Sequence, residues 1–241
     1  RRLPRSPTHC CRRLLSKPGC MSICSRRSLR ALRKAGSIDL ATLTPSFNDT
    51  VHDSQGVFRA LLNAFSRPGK IVSIDAVLPG LDQDGSTVVT HVPMAAFAAL
   101  LSLADYSTPV LLQHEHRGLS DALRFHTGAP LTHDHAQTVF AYLHDAESMP
   151  PLDAFSLGDP ETPENAVMLF IRVDSLNDGT PMTWCGPGIR DTQTVHITGV
   201  PASFWHERTS LASQFPCGID CYFVHGGSVI GLPLTTRVEV A

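Results

Sequence analysis

Residues 166–173, AVMLFIRV, constrain the fold more than any other stretch of this 241-residue chain. Arg172 is the sole polar residue, and the apolar side chains fall on both faces of an extended chain. A short run of this kind, rich in β-formers, belongs to a strand in the middle of a sheet covered on both sides. The neighbouring segments supply the cover. Phe58, Leu61, Leu62 and Phe65 form one helical stripe, with Asp53 as its N-cap and Pro68-Gly69 as its stop. Residues 92–103 form a helix apolar nearly all round. Shorter helices are expected over 120–125, capped by Ser120, and over 201–211. Strands are expected at 71–78, 110–113, 138–143, 182–185, 193–198, 219–224 and 229–232, with proline-rich loop over 145–165. Helices interleaved with doubly buried strands predict an α/β fold, a three-layer α/β/α sandwich with a mixed sheet.

Charge divides the chain. Residues 1–40 hold eleven Lys or Arg against the single acid Asp39; the other 201 residues keep nine of the 20 basic and 21 of the 22 acidic side chains. An acidic body argues against nucleic-acid binding, which needs a basic surface to displace counterions. Four of the seven cysteines lie in the basic segment. The remaining Cys185, Cys217 and Cys221 have no framework spacing, which fits a reducing, cytoplasmic location and small core residues. No run reaches 18 apolar residues, so no membrane span is expected. We therefore divide the chain into a basic, disordered or wrongly started extension, 1–40, and a single domain, 41–241. The competing reading of the extension is a targeting peptide or an anion-seeking arm; residues 28–34 have room for one or two helical turns.

Motifs of self-contained catalysis are missing from the sequence: no Walker loop, nucleophile elbow or HExxH. His114-x-His116 and His133-x-His135 have the look of metal pairs, but no further ligand set accompanies them, so no metal is expected and exposed loop histidines are the reading.

Residues 215–240, FPCGIDCYFVHGGSVIGLPLTTRVEV, resemble the end of the PhnH subunit of the carbon–phosphorus lyase system. Further blocks follow in that family's order: Asp53-Ser54-Gln55 with Phe58-Arg59, Leu62 and Ser66-Arg67-Pro68-Gly69, then 104–109 (ADYSTP), 123–130 (LRFHTGAP) and Gly186-Pro187-Gly188-Ile189. The similarity covers about residues 45–241. One departure is Leu234, where family members often carry Arg before the Thr-Thr pair. The resemblance implies a fold similar to pyridoxal-phosphate-dependent transferases but without the cofactor. In keeping with that, Lys70 is the only lysine outside the extension, and it sits at a turn edge where a Schiff base is not expected. It also implies bacterial phosphonate catabolism through a complex in which PhnG, PhnH, PhnI and PhnL exchange the adenine of ATP for an alkylphosphonate, giving a ribose 1-phosphonate 5-triphosphate. PhnJ is a further partner, and a homodimer is expected when the protein is alone. Within that transferase complex the resemblance implies a subunit without independent catalysis. The competing readings are a standalone phosphonate- or nucleotide-binding module and a divergent pyridoxal-phosphate transferase.

The residues that could meet an anion or a partner lie in or beside these blocks. Arg59, Arg124, Arg190 and Arg237 offer planar donor forks suited to phosphate oxygens, or to carboxylates in salt bridges. His126 could bond phosphate or, more plainly, nearby backbone. Gly186 and Gly188 could present N–H groups as a nest, or simply make a tight turn. Asp220, a carboxylate in a strand, is expected to pair with Arg237; the alternatives are capping a neighbouring element or reaching across an interface.

Overall fold

In the computed structural model, residues 43–74, 78, 91–114 and 116–240 are described. The expected helical turns at 28–34 and most of the strand at 71–78 beyond Ile74 lie outside them. The strands are β1 (Val72–Ser73), β2 (Val110–Leu112), β3 (Leu131–Thr132), β4 (Phe140–Leu143), β5 (Met168–Arg172), β6 (Pro181–Cys185), β7 (Gln193–His196), β8 (Asp220–His225), β9 (Ser228–Leu232) and β10 (Arg237–Val240). The helices are α1 (Thr50–Ser66), α2 (Met94–Leu103), α3 (Arg117–His126) and α4 (Ala202–Leu211).

A seven-stranded sheet runs in the order β1-β9-β8-β5-β4-β2-β3. The expected central strand is its centre: β5 pairs parallel with β4 on one side and β8 on the other. β2, β3, β4, β5 and β8 run parallel, while β9 pairs antiparallel with β8 on one side and β1 on the other, so the sheet is mixed. The strand alternation sorts side chains to two faces. Tyr142, Phe170, Tyr222 and Val229 point to one, and Ala141, Leu143, Leu169, Ile171, Phe223 and Ile230 to the other. On the first face, Phe65, Tyr222 and Phe170 stack with ring centroids 4.2 and 5.3 Å apart.

The first face is covered by α1, α2 and α3. The second differs from the expected helical layer. It is covered by α4 together with a separate antiparallel sheet, β10-β6-β7. Met182 and Trp184 alternate with the less buried Thr183 and Cys185, a period-two pattern that makes half-buried strands rather than a helix. Both tryptophans, Trp184 and Trp205, belong to this second face.

Two helix expectations need correction. α1 starts earlier than supposed: Asp49 is the N-cap, its Oδ1 accepting from Val51 N at 3.1 Å and His52 N at 3.0 Å, while Asp53 Oδ2 accepts from Asp49 N at 3.0 Å. Its buried face is Val57, Leu61 and Ala64, and Phe58 and Leu62 remain 52% and 58% exposed. The reason is the close seat of α1 on the hairpin. A side-chain Cβ at Gly231 would stand 2.7 Å from the Ala64 carbonyl oxygen, and the Tyr222 hydroxyl donates to the Leu61 carbonyl at 2.9 Å. α3 likewise begins at Arg117, not after Ser120; Ser120 N already donates to the His116 carbonyl at 2.8 Å. Gly226-Gly227 joins β8 to β9 as expected, with Gly226 at φ 54°.

Candidate functional site

Three turns from two of the sequence blocks converge on one cleft of about 500 Å³. Phe215, Cys217 and Gly218 enter it from the turn before β8, Leu234 to Thr236 from the turn after β9, and Pro187 from the Gly-Pro-Gly turn after β6. The glycines let these turns touch. A Cβ on Gly218 would press on the Leu234 side chain at 3.3 Å, and one on Gly186 would meet the Thr235 carbonyl oxygen at 3.0 Å. Gly188, at φ 86°, abuts the end of α1 at Ser66 and Pro68.

The deepest charge in the cleft is Arg208, contributed by α4 and only 6% exposed. Its Nη2 donates to the Pro233 carbonyl, whereas its Nε has no partner among the described residues. Thr236, 4% exposed, also leaves its hydroxyl unpartnered. Burial pushes the Arg208 pKa down against the pull of Cys221 and Asp220. Burial pushes the Asp220 carboxyl up, opposed by the Leu234 N–H and Arg208. The two groups thus attract each other without a direct ion pair, and neither is fully compensated. Arg237 and Glu239 add one charge of each sign to the lining and are exposed.

The expected Asp220–Arg237 pair does not form: among the described residues the ion pairs are Asp49–His52 and Arg117–Asp121. Asp220 Oδ1 instead accepts from Leu234 N at 2.8 Å, which caps the turn that follows β9. Arg237 is drawn into the β10–β6 ladder opposite Cys185, and its side chain faces solvent. Arg208 reaches the Pro233 carbonyl, next to Leu234, from α4. Sequence reading missed Arg208; its one signal was an arginine on the apolar side of the predicted 201–211 helix, beside Phe204, Trp205 and Leu211.

The other candidates lie apart from the cleft. Arg59 on α1, Arg124 in the last turn of α3 and Arg190 are exposed. His126 Nε2 is 3.0 Å from the Thr44 carbonyl, a structural bond that ties the start of the domain to α3. His133 is exposed, and His135 packs edge-on to Phe155 at 5.2 Å. Lys70 is exposed behind the α1 stop. Cys221 is wholly buried, and burial pushes its thiol up to about 12, so it is a core residue rather than a nucleophile.

The cleft brings the 186–189 and 215–240 blocks together in one place in the fold. The family model described as "Bacterial phosphonate metabolism protein (PhnH)" matches residues 45–239, all but the ends of the domain. The chain belongs to the PhnH family. Among curated relatives, PhnH-family similarity extends to the alpha-D-ribose 1-methylphosphonate 5-triphosphate synthase subunit PhnH of Rhizobium meliloti (strain 1021), 32% identical over 196 residues, covering 80% of this chain and 94% of the relative. It extends also to a putative C-P lyase subunit protein, HtxG, of Stutzerimonas stutzeri, 29% identical over 186 residues, covering 77% and 86%. As a PhnH-family cleft, the site offers polar donors from Arg208 and Thr236, with Cys217, Arg237 and Glu239 also in its lining.

Proposed function

We propose that this chain is a non-autonomous subunit of a bacterial carbon–phosphorus lyase core complex. With PhnG-, PhnI- and PhnL-type partners it supports transfer of the ribose triphosphate of ATP to an alkylphosphonate, with a PhnJ-type subunit also in the assembly. The observation that carries the reading is the family match across residues 45–239, joined to a cleft that has donors for an anion but no catalytic set of its own. Neutralising several phosphates takes more positive charge than Arg208 and Arg237 supply, so other subunits must provide the rest. The reading includes a domain spanning 41–241, a likeness of its fold to pyridoxal-phosphate-dependent transferases without use of that cofactor, a cytoplasmic location and a homodimer when alone. No described helix is long and apolar enough to cross a membrane. The exposed Val51, Phe58 and Leu62 on one side of α1 supply apolar surface of the sort that subunit contacts cover.

Co-expression with the partner subunits tests this. The expected result is co-purification, ribose 1-phosphonate 5-triphosphate formation by the full set, and none by the isolated chain. Turnover by the chain alone, or full activity of the set without it, overturns the proposal.

A second reading, a standalone module for phosphonates or nucleotides, draws on the unpartnered Arg208 Nε and Thr236 hydroxyl. Calorimetry with methylphosphonate and with ATP separates the two: heat that Arg208→Met removes supports the module.

A further inference from the structure

The carboxyl edge of the parallel strands gathers a group of side chains remote in sequence. β2 leads through α3 to β3 on its outer side, whereas β4 leads to β5 in the opposite direction. The gap between the ends of β2 and β4 is therefore the topological switch point, the place where open α/β sheets admit ligands. His114 and His116 follow β2 there, and His144 follows β4. The ring centroids of His116 and His144 are 4.8 Å apart, with His114 at 6.3 and 6.1 Å from them. The expectation that this pair would be plain exposed histidines holds for His114 only; His116 and His144 are half-buried.

The edge is held in place from below. Gln113 Nε2 donates to the Asp145 carbonyl and Gln113 Oε1 accepts from Asp145 N, both at 2.8 Å, so one side chain clasps the two strand ends. The Tyr142 hydroxyl meets His144 Nδ1 at 3.0 Å, and burial keeps that phenol protonated. With Tyr142 donating to Nδ1, the His144 Nε2–H is free to donate outward. His116 Nε2 is buried without a partner among the described residues. Arg172, at the end of β5, donates to the His144 carbonyl at 3.3 Å and sets a positive charge beside the imidazole. Among the described residues the facing acid is Asp145, whose carboxylate is taken up by Ser148 Oγ at 2.6 Å and Glu147 N at 3.1 Å. Among the described residues no three ligand-type side chains are arranged to hold a metal ion.

We propose that this edge binds a tetrahedral dianion of the phosphate or phosphonate class, held by His116 and His144 with Arg172 and His114 at its mouth. The empty protein keeps both inner imidazoles neutral. Burial and then His114 and His91 lower the pKa of His116. Burial and then Arg172, His116 and His114 lower that of His144 to about 4, with Asp145 opposing. A bound dianion reverses this balance, so binding takes up protons and strengthens as the pH falls. The site is separate from the Arg208 cleft and does not depend on the subunit reading.

Sulfate is the probe, because it stays doubly charged where phosphate and phosphonate would themselves titrate. Histidine C–H resonances of the full chain are followed with pH, with and without sulfate, alongside calorimetry. The expected result is an upward move of the His116 and His144 midpoints by about one unit or more, and about tenfold tighter binding at about pH 5.5 than at about pH 8. His133 and His206 should not move, and inorganic phosphate and methylphosphonate should compete. The double variant His116→Gln/His144→Gln, which keeps polar side chains of similar reach, should lose the response, while His206→Gln, at an exposed site on α4, should retain it. Midpoints that sulfate leaves unmoved overturn the proposal. So does a pH-linked sulfate response that survives the double variant or disappears with His206→Gln, and so does a site that takes zinc but not sulfate.

Discussion

Arg208 brings a full positive charge into a core where its recorded acceptor is the Pro233 carbonyl, because a guanidinium keeps its proton under all ordinary conditions. Asp220 is the nearest source of compensation, and it is itself half-committed to Leu234 N. A double-mutant cycle of Arg208→Met and Asp220→Asn, read by urea denaturation, should therefore give a coupling of about 0.5–2 kcal/mol. The same cycle with Arg237→Gln in place of Arg208→Met should give none. Arg208→Met alone should destabilise the chain by about 1–3 kcal/mol, since it strips buried Asp220 of a compensating charge and the Pro233 carbonyl of its donor. His144 makes a separate prediction. Its folded pKa, about 4, lies below the 6.5 of a free imidazole, so the unfolded chain takes up a proton first as the pH falls. The neutral buried ring contributes fully above about pH 6.5, and that contribution is lost progressively down to about pH 4. In denaturation series at stepped pH, His144→Gln should fall less steeply across this window than the parent chain.

At the scale of elements, α1 sits close on the β8–β9 hairpin, at Gly231 and Tyr222. Gly231→Ala drives a methyl into the Ala64 carbonyl and should cost about 1–3 kcal/mol. Tyr222→Phe removes the bond to Leu61 and should cost about 1 kcal/mol. Both are read as shifts in denaturation midpoint at unchanged slope. This joint also shows what the sequence could and could not reveal. The double-sided apolar run at 166–173 had only one home, and β5 occupies it. The stripe Phe58, Leu61, Leu62, Phe65 had the right period but the wrong phase, because the buried arc is set by Gly231, distant in sequence. The antiparallel sheet at 181–196 was read as strands, yet its pairing with residues 237–240 was not, since β10 carries only Val238 and Val240 as apolar signals. In the cleft, the turns were legible through their glycines and the family blocks. Arg208 was not read, because its one local signal, a place on the apolar side of the 201–211 helix, is weaker than the general tendency of arginine to stay in solvent.

Across the molecule, the described residues form two cores separated by the sheet, with an apolar patch outside both. Phe58→Ser with Leu62→Ser should leave the isolated chain within about 0.5 kcal/mol of its parent stability, as exposed substitutions do. If the patch is covered in the assembly, the same pair of changes should sharply reduce recovery of partner subunits in co-purification. The division into two faces has an optical consequence. Trp184 and Trp205 both report on the side packed by α4 and the small sheet, whereas the ordered tyrosines Tyr142 and Tyr222 report on the side packed by α1, α2 and α3. Tryptophan emission is blind to half of the protein. Comparing it with tyrosine near-ultraviolet dichroism through one denaturation curve would show whether the halves melt together, and would give each proposed anion site its own spectroscopic neighbour: indole for the Arg208 cleft, phenol for the histidine edge.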